Sequence, residues 1–242
     1  MHESEPIKEV VMKIGIDSYC YHRFFGDVAT GQKATNVKLS LEWFLKRAKE
    51  LKVDGVSLES LFIPRFDSSY LSEVKGMLDE YKLDRVFAWG HPDGLEGGRS
   101  EKAFADMMKS LDYATAIGAK VMRVCGASLE FRNEPHGPML EKLARQFSEA
   151  VKEAAKRDIR IADENHIDFN SDEMLTLIKA VNSPYFGINF DTGNFMRVLD
   201  DPIKGMEKLA TYTFATHVKD LKPNRQASVD DWYFFSSTPV GD

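Results

Sequence analysis

Four ionisable residues stand where short apolar runs stop: Glu59 in GVSLE, Glu164 in IADE, Asp191 in GINFD and His217 in FATH. Along a strand, side chains two residues apart share a face. In 186–191, Phe186, Ile188 and Phe190 take one face, and Gly187, Asn189 and Asp191 the other. In 159–166, Ile159 and Ile161 oppose Ala162, Glu164 and His166. In 214–219, Ala215, His217 and Lys219 share a face; in 55–59, Val56 and Leu58 oppose Gly55, Ser57 and Glu59. In 121–125, Met122 and Val124 oppose Val121, Arg123 and Cys125. One face is apolar and suits a covering helix layer. The other is small or polar and carries an ionisable group near the strand's C-terminal end. A single carboxylate there is usually a helix cap, but four such ends in one chain point to a shared site. Converging carboxylates repel unless a cation sits between them. Two carboxylates and an imidazole suit a divalent metal. The oxygen-rich set favours Mn, Mg or Co over a thiolate-type zinc site, with zinc still admissible.

The elements that must position these residues alternate without a break. Runs rich in Val, Ile and Phe lie near 13–18, 54–59, 84–90, 119–125, 159–165, 185–191 and 213–219. Between most of them, apolar residues recur at helical spacing: Leu41, Phe44, Leu45, Ala48 and Leu51 in 39–51, and similar sets in 101–117 and 139–155. Shorter helices fit 69–81, 171–182 and 202–210, and Gly118 suits the end of the helix before it. Residues 222–242 lack helical periodicity and read as a long loop. Seven β-then-α units without a linker predict one parallel α/β domain over 13–242, behind a flexible leader at 1–12. A doubly wound sheet would favour a glycine-rich phosphate turn after the first strand, whereas YCYHRFFGD follows GIDS. That leans toward a TIM (β/α)8-type barrel, in which strand C-termini converge on one mouth.

Composition narrows the function classes. The chain has 242 residues, 43% hydrophobic, with a net charge of -6. The acidic balance argues against a nucleic-acid partner. Two cysteines, Cys20 and Cys125, with no CxxC pair, favour a reducing compartment, so a cytoplasmic location is expected. No apolar run approaches the roughly 18 residues needed to cross a membrane. Association into a homo-oligomer is compatible with the sequence.

The motifs ADENH (162–166), NFDTGN (189–194) and HVKD (217–220), with GVSLES (55–60), resemble those of the xylose isomerase-like TIM barrel superfamily. That group includes sugar phosphate isomerases and epimerases and the endonuclease IV-type repair enzymes. Asp191 follows Glu164 by 27 residues and His217 follows Asp191 by 26. The resemblance implies a metal held by Glu164, Asp191, His217 and a further carboxylate from an eighth strand. PVGD near the chain end looks like the start of the turn before that strand. The barrel is therefore expected to be C-terminally incomplete in this chain, without strand eight, helix eight and the fourth ligand. Many relatives carry a histidine where Asn194 stands, which counts against a multinuclear zinc site.

The resemblance implies a divalent-metal-dependent sugar isomerase or epimerase that abstracts a proton beside a carbonyl of a small sugar or keto-sugar. Glu164 would act as base and His166 as a proton-transfer or hydrogen-bonding partner; Glu59, His91, Asn194 and Lys219 would contact substrate. His22 is a further histidine near the mouth, and Arg123 is expected to neutralise Glu59 or Glu164. Tyr19, Tyr21, Phe25, Phe62, Phe66, Trp89 and Phe195 lie in or near the strand-to-helix loops and could wall a sugar pocket. Three alternatives remain: a metal-dependent lyase on oxidised (3-keto) glycosides, an endonuclease IV-like nuclease, and a non-catalytic sugar-binding barrel.

Overall fold

Seven parallel strands pair in sequence order: β1 (Gly15–Asp17), β2 (Gly55–Glu59), β3 (Asp84–Ala88), β4 (Val121–Val124), β5 (Arg160–Glu164), β6 (Phe186–Asp191) and β7 (Thr213–His217). The computed structural model describes residues 12–28, 32–228, 231 and 234–241. The expected leader falls almost wholly outside them. Strand order never reverses, so the sheet is singly wound and curls as in a TIM barrel. Among the described residues no eighth parallel strand follows β7, and β1 and β7 remain its two edges.

Helices cover the outer face: α1 (His22–Phe25), α2 (Leu41–Leu51), α3 (Ser68–Glu80), α4 (Glu101–Ala116), α5 (His136–Lys156), α6 (Ser171–Val181), α7 (Asn194–Arg197) and α8 (Pro202–Leu209). The apolar strand face packs against their apolar stripes. Leu58, Phe87, Met122, Ile161 and Ile188 are fully buried with Leu45, Leu78, Leu111, Phe147 and Leu177. Each such side chain contributes about 1.5–3 kcal/mol. Helix starts are set by side-chain caps. Ser40, Asp67 and Ser100 accept from backbone N–H groups three residues on, and Asn170 with Glu173 forms a capping box. Helix α5 begins three residues earlier than its apolar pattern suggests, because Pro138 in the first turn has no N–H to leave without an acceptor.

The loop expected over 222–242 instead contains an antiparallel pair, β8 (Asp220–Pro223) and β9 (Phe235–Thr238). Each strand has four residues and the two are far apart in sequence, so a search for helical spacing passes over them.

Two local features set the geometry beneath the mouth. The β6–β7 register shifts between Ile188 and Asn189. There the Phe214 ring and the Tyr212 carbonyl crowd Gly187, where an added Cβ would lie 2.2 Å from the carbonyl oxygen and 2.7 Å from the ring. On the opposite side, His136 at the start of α5 joins α6: its Nδ1 lies 2.7 Å from Glu173 Oε1 and its Nε2 lies 2.8 Å from the Arg132 carbonyl oxygen. Both partners are acceptors, so both contacts are hydrogen bonds when the ring is protonated. Burial opposes the charge, but Glu173 and the carbonyl outweigh it and raise His136 above its ordinary value of 6.5.

Gly187→Ala is expected to lower stability by about 1–3 kcal/mol through overpacking, read from urea denaturation. The His136 contribution should be complete below pH 6.5 and fade as pH rises through its raised folded value. His136→Gln should flatten that part of the stability–pH curve, measured by thermal melts across pH 5.5 to 8.5.

Candidate functional site

The C-terminal ends of β5, β6 and β7 bring Glu164, Asp191 and His217 together. One carboxylate or ring atom from each lies within 4.8 Å of the others, a set able to hold a metal ion. Sheet register accounts for the convergence. Asp191 pairs directly with His217, and Glu164 pairs with Asn189, two residues before Asp191. Beyond the end of β5, the Asn165 amide continues the ladder. Its Oδ1 accepts from the Asp191 backbone N–H at 2.8 Å, and its Nδ2 donates to the Asp191 carbonyl at 3.0 Å. The fully buried Asp191 carboxylate then divides its labour. Oδ1 accepts from the backbone N–H groups of Gly193 and Asn194 at 2.9 and 3.0 Å. Oδ2 takes no hydrogen bond and faces the Lys219 ammonium as an ion pair at 2.8 Å.

Charge is balanced within the cluster. Arg123, buried on β4, forms an ion pair with Glu59 and lies 3.4 Å from Glu164 Oε2. His217 Nδ1 is 3.5 Å from the same Glu164 oxygen, while its Nε2 is 3.2 Å from Asp17 Oδ2 at the end of β1. Burial alone would raise the Glu164 carboxyl, but the charges of His217 and Arg123 outweigh it and hold it well below the usual carboxylate range. Burial pulls His217 down, yet Glu164 and Asp17 push it up to about 10. Asp17 is lowered despite its burial, chiefly by His217. Asp17 also orients the imidazole: with Nε2 turned to a carboxylate, Nδ1 is left facing Glu164, the arrangement that histidine ligands of metals commonly share. The donor chemistry and the unbonded Asp191 Oδ2 therefore suit a divalent cation.

The other expected residues distribute around this centre. Asn194 donates from Nδ2 to Glu164 Oε1 at 3.3 Å and accepts from Lys219 at 3.0 Å on Oδ1. Lys219 thus pairs with a carboxylate. Glu59 lies against Arg123, as the inward face of β4 predicts. His166 follows a turn in which its N–H donates to the Glu164 carbonyl at 2.8 Å. It lies within the field of Glu164, Arg123, Lys219 and Asp191, and burial lowers its pKa. His91 stands apart, stacked on Trp89 at 5.3 Å and accepting weakly from the Asp93 N–H at 3.4 Å. His22 bonds Gln32 and the Tyr19 carbonyl. Among the aromatic residues, Trp89 and Phe195 are buried core, whereas Tyr19 is exposed and stacks on Phe62 and His22.

Sequence reasoning passed over Asp17, Asn165 and Asp163. Asp17 shares a face with Gly15 in β1, a signal that could have added it to the set. Asp163 points to the opposite face of β5, with neither carboxyl oxygen hydrogen-bonded. Burial, and then the charge of neighbouring Asp168, push it well above the usual carboxylate range.

A cavity of about 340 Å³ opens at the rim, lined by Arg132 and His136, Asp168 and Asn170, Arg197 to Leu199, and Phe234 and Phe235 of the hairpin. It draws on the loops after β4, β5 and β6. A wider depression of about 500 Å³ lies over Ala144, Arg145 and Ser148 of α5, and neither cavity is lined by Glu164, Asp191 or His217. No helix among the described residues is long and apolar enough to cross a membrane.

Comparison with known proteins agrees with this architecture. The family model described as xylose isomerase-like TIM barrel matches residues 45–242. A curated relative, 3-oxo-isoapionate decarboxylase from Pectobacterium atrosepticum, is 24% identical over 142 residues, covering 59% of this chain and 49% of its own length. The chain thus spans about half of that relative. Among solved structures, a xylose isomerase domain protein from Planctomyces limnophilus superposes with a TM-score of 0.65 at 19% identity, over 86% of this chain and 74% of that one. D-psicose 3-epimerase from Clostridium cellulolyticum H10, solved with D-tagatose, gives 0.68 at 13% identity, over 86% and 73%.

Removing Arg123 would leave Glu59 buried without its cation and Glu164 with His217 alone. Arg123→Met is expected to cost about 3–5 kcal/mol in urea denaturation. Adding Glu59→Gln to that variant should recover part of the loss.

Proposed function

We propose, for a chain that belongs to the xylose isomerase-like TIM barrel family, the function of a divalent-metal-dependent sugar isomerase or epimerase. The observation that carries this reading is the convergence of Glu164, Asp191 and His217 at the strand ends. Glu164, Asp191 Oδ2 and His217 Nδ1 would hold the ion. When bound, such an ion supplies Lewis-acid stabilisation of negative charge on neighbouring substrate oxygens.

The chain's own residues would do the rest. Glu164 stays ionised between Arg123 and His217 and can accept a proton from a carbon beside a carbonyl. His166, kept neutral by burial, is a second group able to take or return a proton. Asn194 and Lys219 offer an amide and an ammonium to substrate hydroxyls.

The solved relative whose name is D-psicose 3-epimerase supports a ketose substrate. The curated relative named as a 3-oxo-isoapionate decarboxylase supports a second reading, a lyase that breaks a bond beside the carbonyl of an oxidised sugar. Both reactions leave an electron pair next to a carbonyl. The acidic net charge of -6 argues against the nuclease reading.

With Mn2+ in D2O, the protein is expected to place deuterium on the carbon beside the ketone of a small ketose, followed by NMR. Glu164→Gln should slow that exchange by at least about 10²-fold. Absence of exchange across a panel of ketoses and 3-keto sugars would overturn the reading, as would two or three bound zinc ions together with nicking of abasic DNA.

A further inference from the structure

Lys219 occupies the place where a cation is needed. Its ammonium sits 2.8 Å from Asp191 Oδ2 and 3.0 Å from Asn194 Oδ1. Asp191 has one oxygen to give, because Oδ1 is committed to the N–H groups of Gly193 and Asn194. The same Oδ2 therefore serves either the ammonium or a metal ion.

The local backbone is built around this lysine. Thr192 Oγ1 accepts from the Lys219 N–H at 2.8 Å and donates to its carbonyl at 2.9 Å, so the base of the side chain is fixed. The aliphatic stem then crosses Gly193, where an added Cβ would lie 3.2 Å from Lys219 Cδ. The side chain remains 32% exposed, which leaves the ammonium a way out toward solvent. A fixed base, a cleared path and an exposed side suit an arm with two positions.

We propose that Lys219 is an internal counter-cation, held on Asp191 in the metal-free protein and displaced when a divalent ion binds. This rests on the metal reading above. It makes Lys219 a determinant of metal affinity, set against binding, as well as a substrate contact. In its absence the Asp191 carboxylate and the Asn194 amide oxygen would be open to the ion alone.

The test is Mn2+ binding to the full chain by isothermal titration calorimetry, without substrate. Lys219→Met is expected to bind Mn2+ at least tenfold more tightly than wild type, with a larger Mn2+-induced rise in melting temperature. Gly193→Ala, which crowds the stem but keeps the charge, should shift affinity in the same direction and covers the case in which Lys219→Met does not fold. Asp191→Asn should lose binding. Equal or weaker affinity in the Lys219 and Gly193 variants, with wild-type binding intact and lost in Asp191→Asn, would overturn this proposal and leave the metal reading standing. No binding to any form would overturn both.

Discussion

The guanidinium of Arg123 is the interaction on which the mouth of this barrel depends. It lies buried between Glu59 of β2, on the far side of β3, and Glu164 of the adjacent β5. Out of water each carboxylate needs a cation beside it; Arg123 serves both, and His217 adds to it at Glu164. Glu164 in turn holds His217, and His217 holds Asp17, so charge passes from β4 through β5 and β7 to β1. Desolvation makes each member costly by itself. The arrangement is stable only as a set, and the set fixes which strand ends face one another.

That last link matters because the sheet is not closed by hydrogen bonds. Strands β1 and β7 are its two edges, and the described residues hold no strand between them. The 3.2 Å contact between Asp17 and His217 spans this seam with side chains instead. Its presence explains why a three-residue first strand keeps its place at the mouth. It also supplies a reason for the elevated pKa of His217, which lies between carboxylates from opposite edges.

Much of this was legible in the sequence, because a parallel strand obeys a period of two and the chain repeats one pattern seven times. Glu164, Asp191 and His217 were found by asking which residues share a face with small or polar neighbours, and the register confirms their proximity. Arg123 was read as a neutralising cation on the same grounds. What escaped notice did so for physical reasons. Asp17 ends a three-residue strand, in which Gly15 is the one residue sharing its face. Asn165 lies one residue past β5, where facing rules stop applying. The β8–β9 pair joins distant segments of four residues each, and no local period announces a long-range antiparallel contact. His91 looked suitable by position, but stacking on Trp89 gives its ring another occupation.

The amide of Asn165 has a wider consequence. It meets both backbone groups of Asp191, so β5 and β6 are spliced together one step beyond the last strand residue of β5. Residues 167–170, between that splice and α6, belong to the rim, while the strands on either side belong to the frame. Insertions or substitutions there can reshape the rim without shifting the carboxylate it surrounds. A lineage built on such a frame could trade one substrate for another by rewriting its rim, while the chemistry beneath stayed where it was.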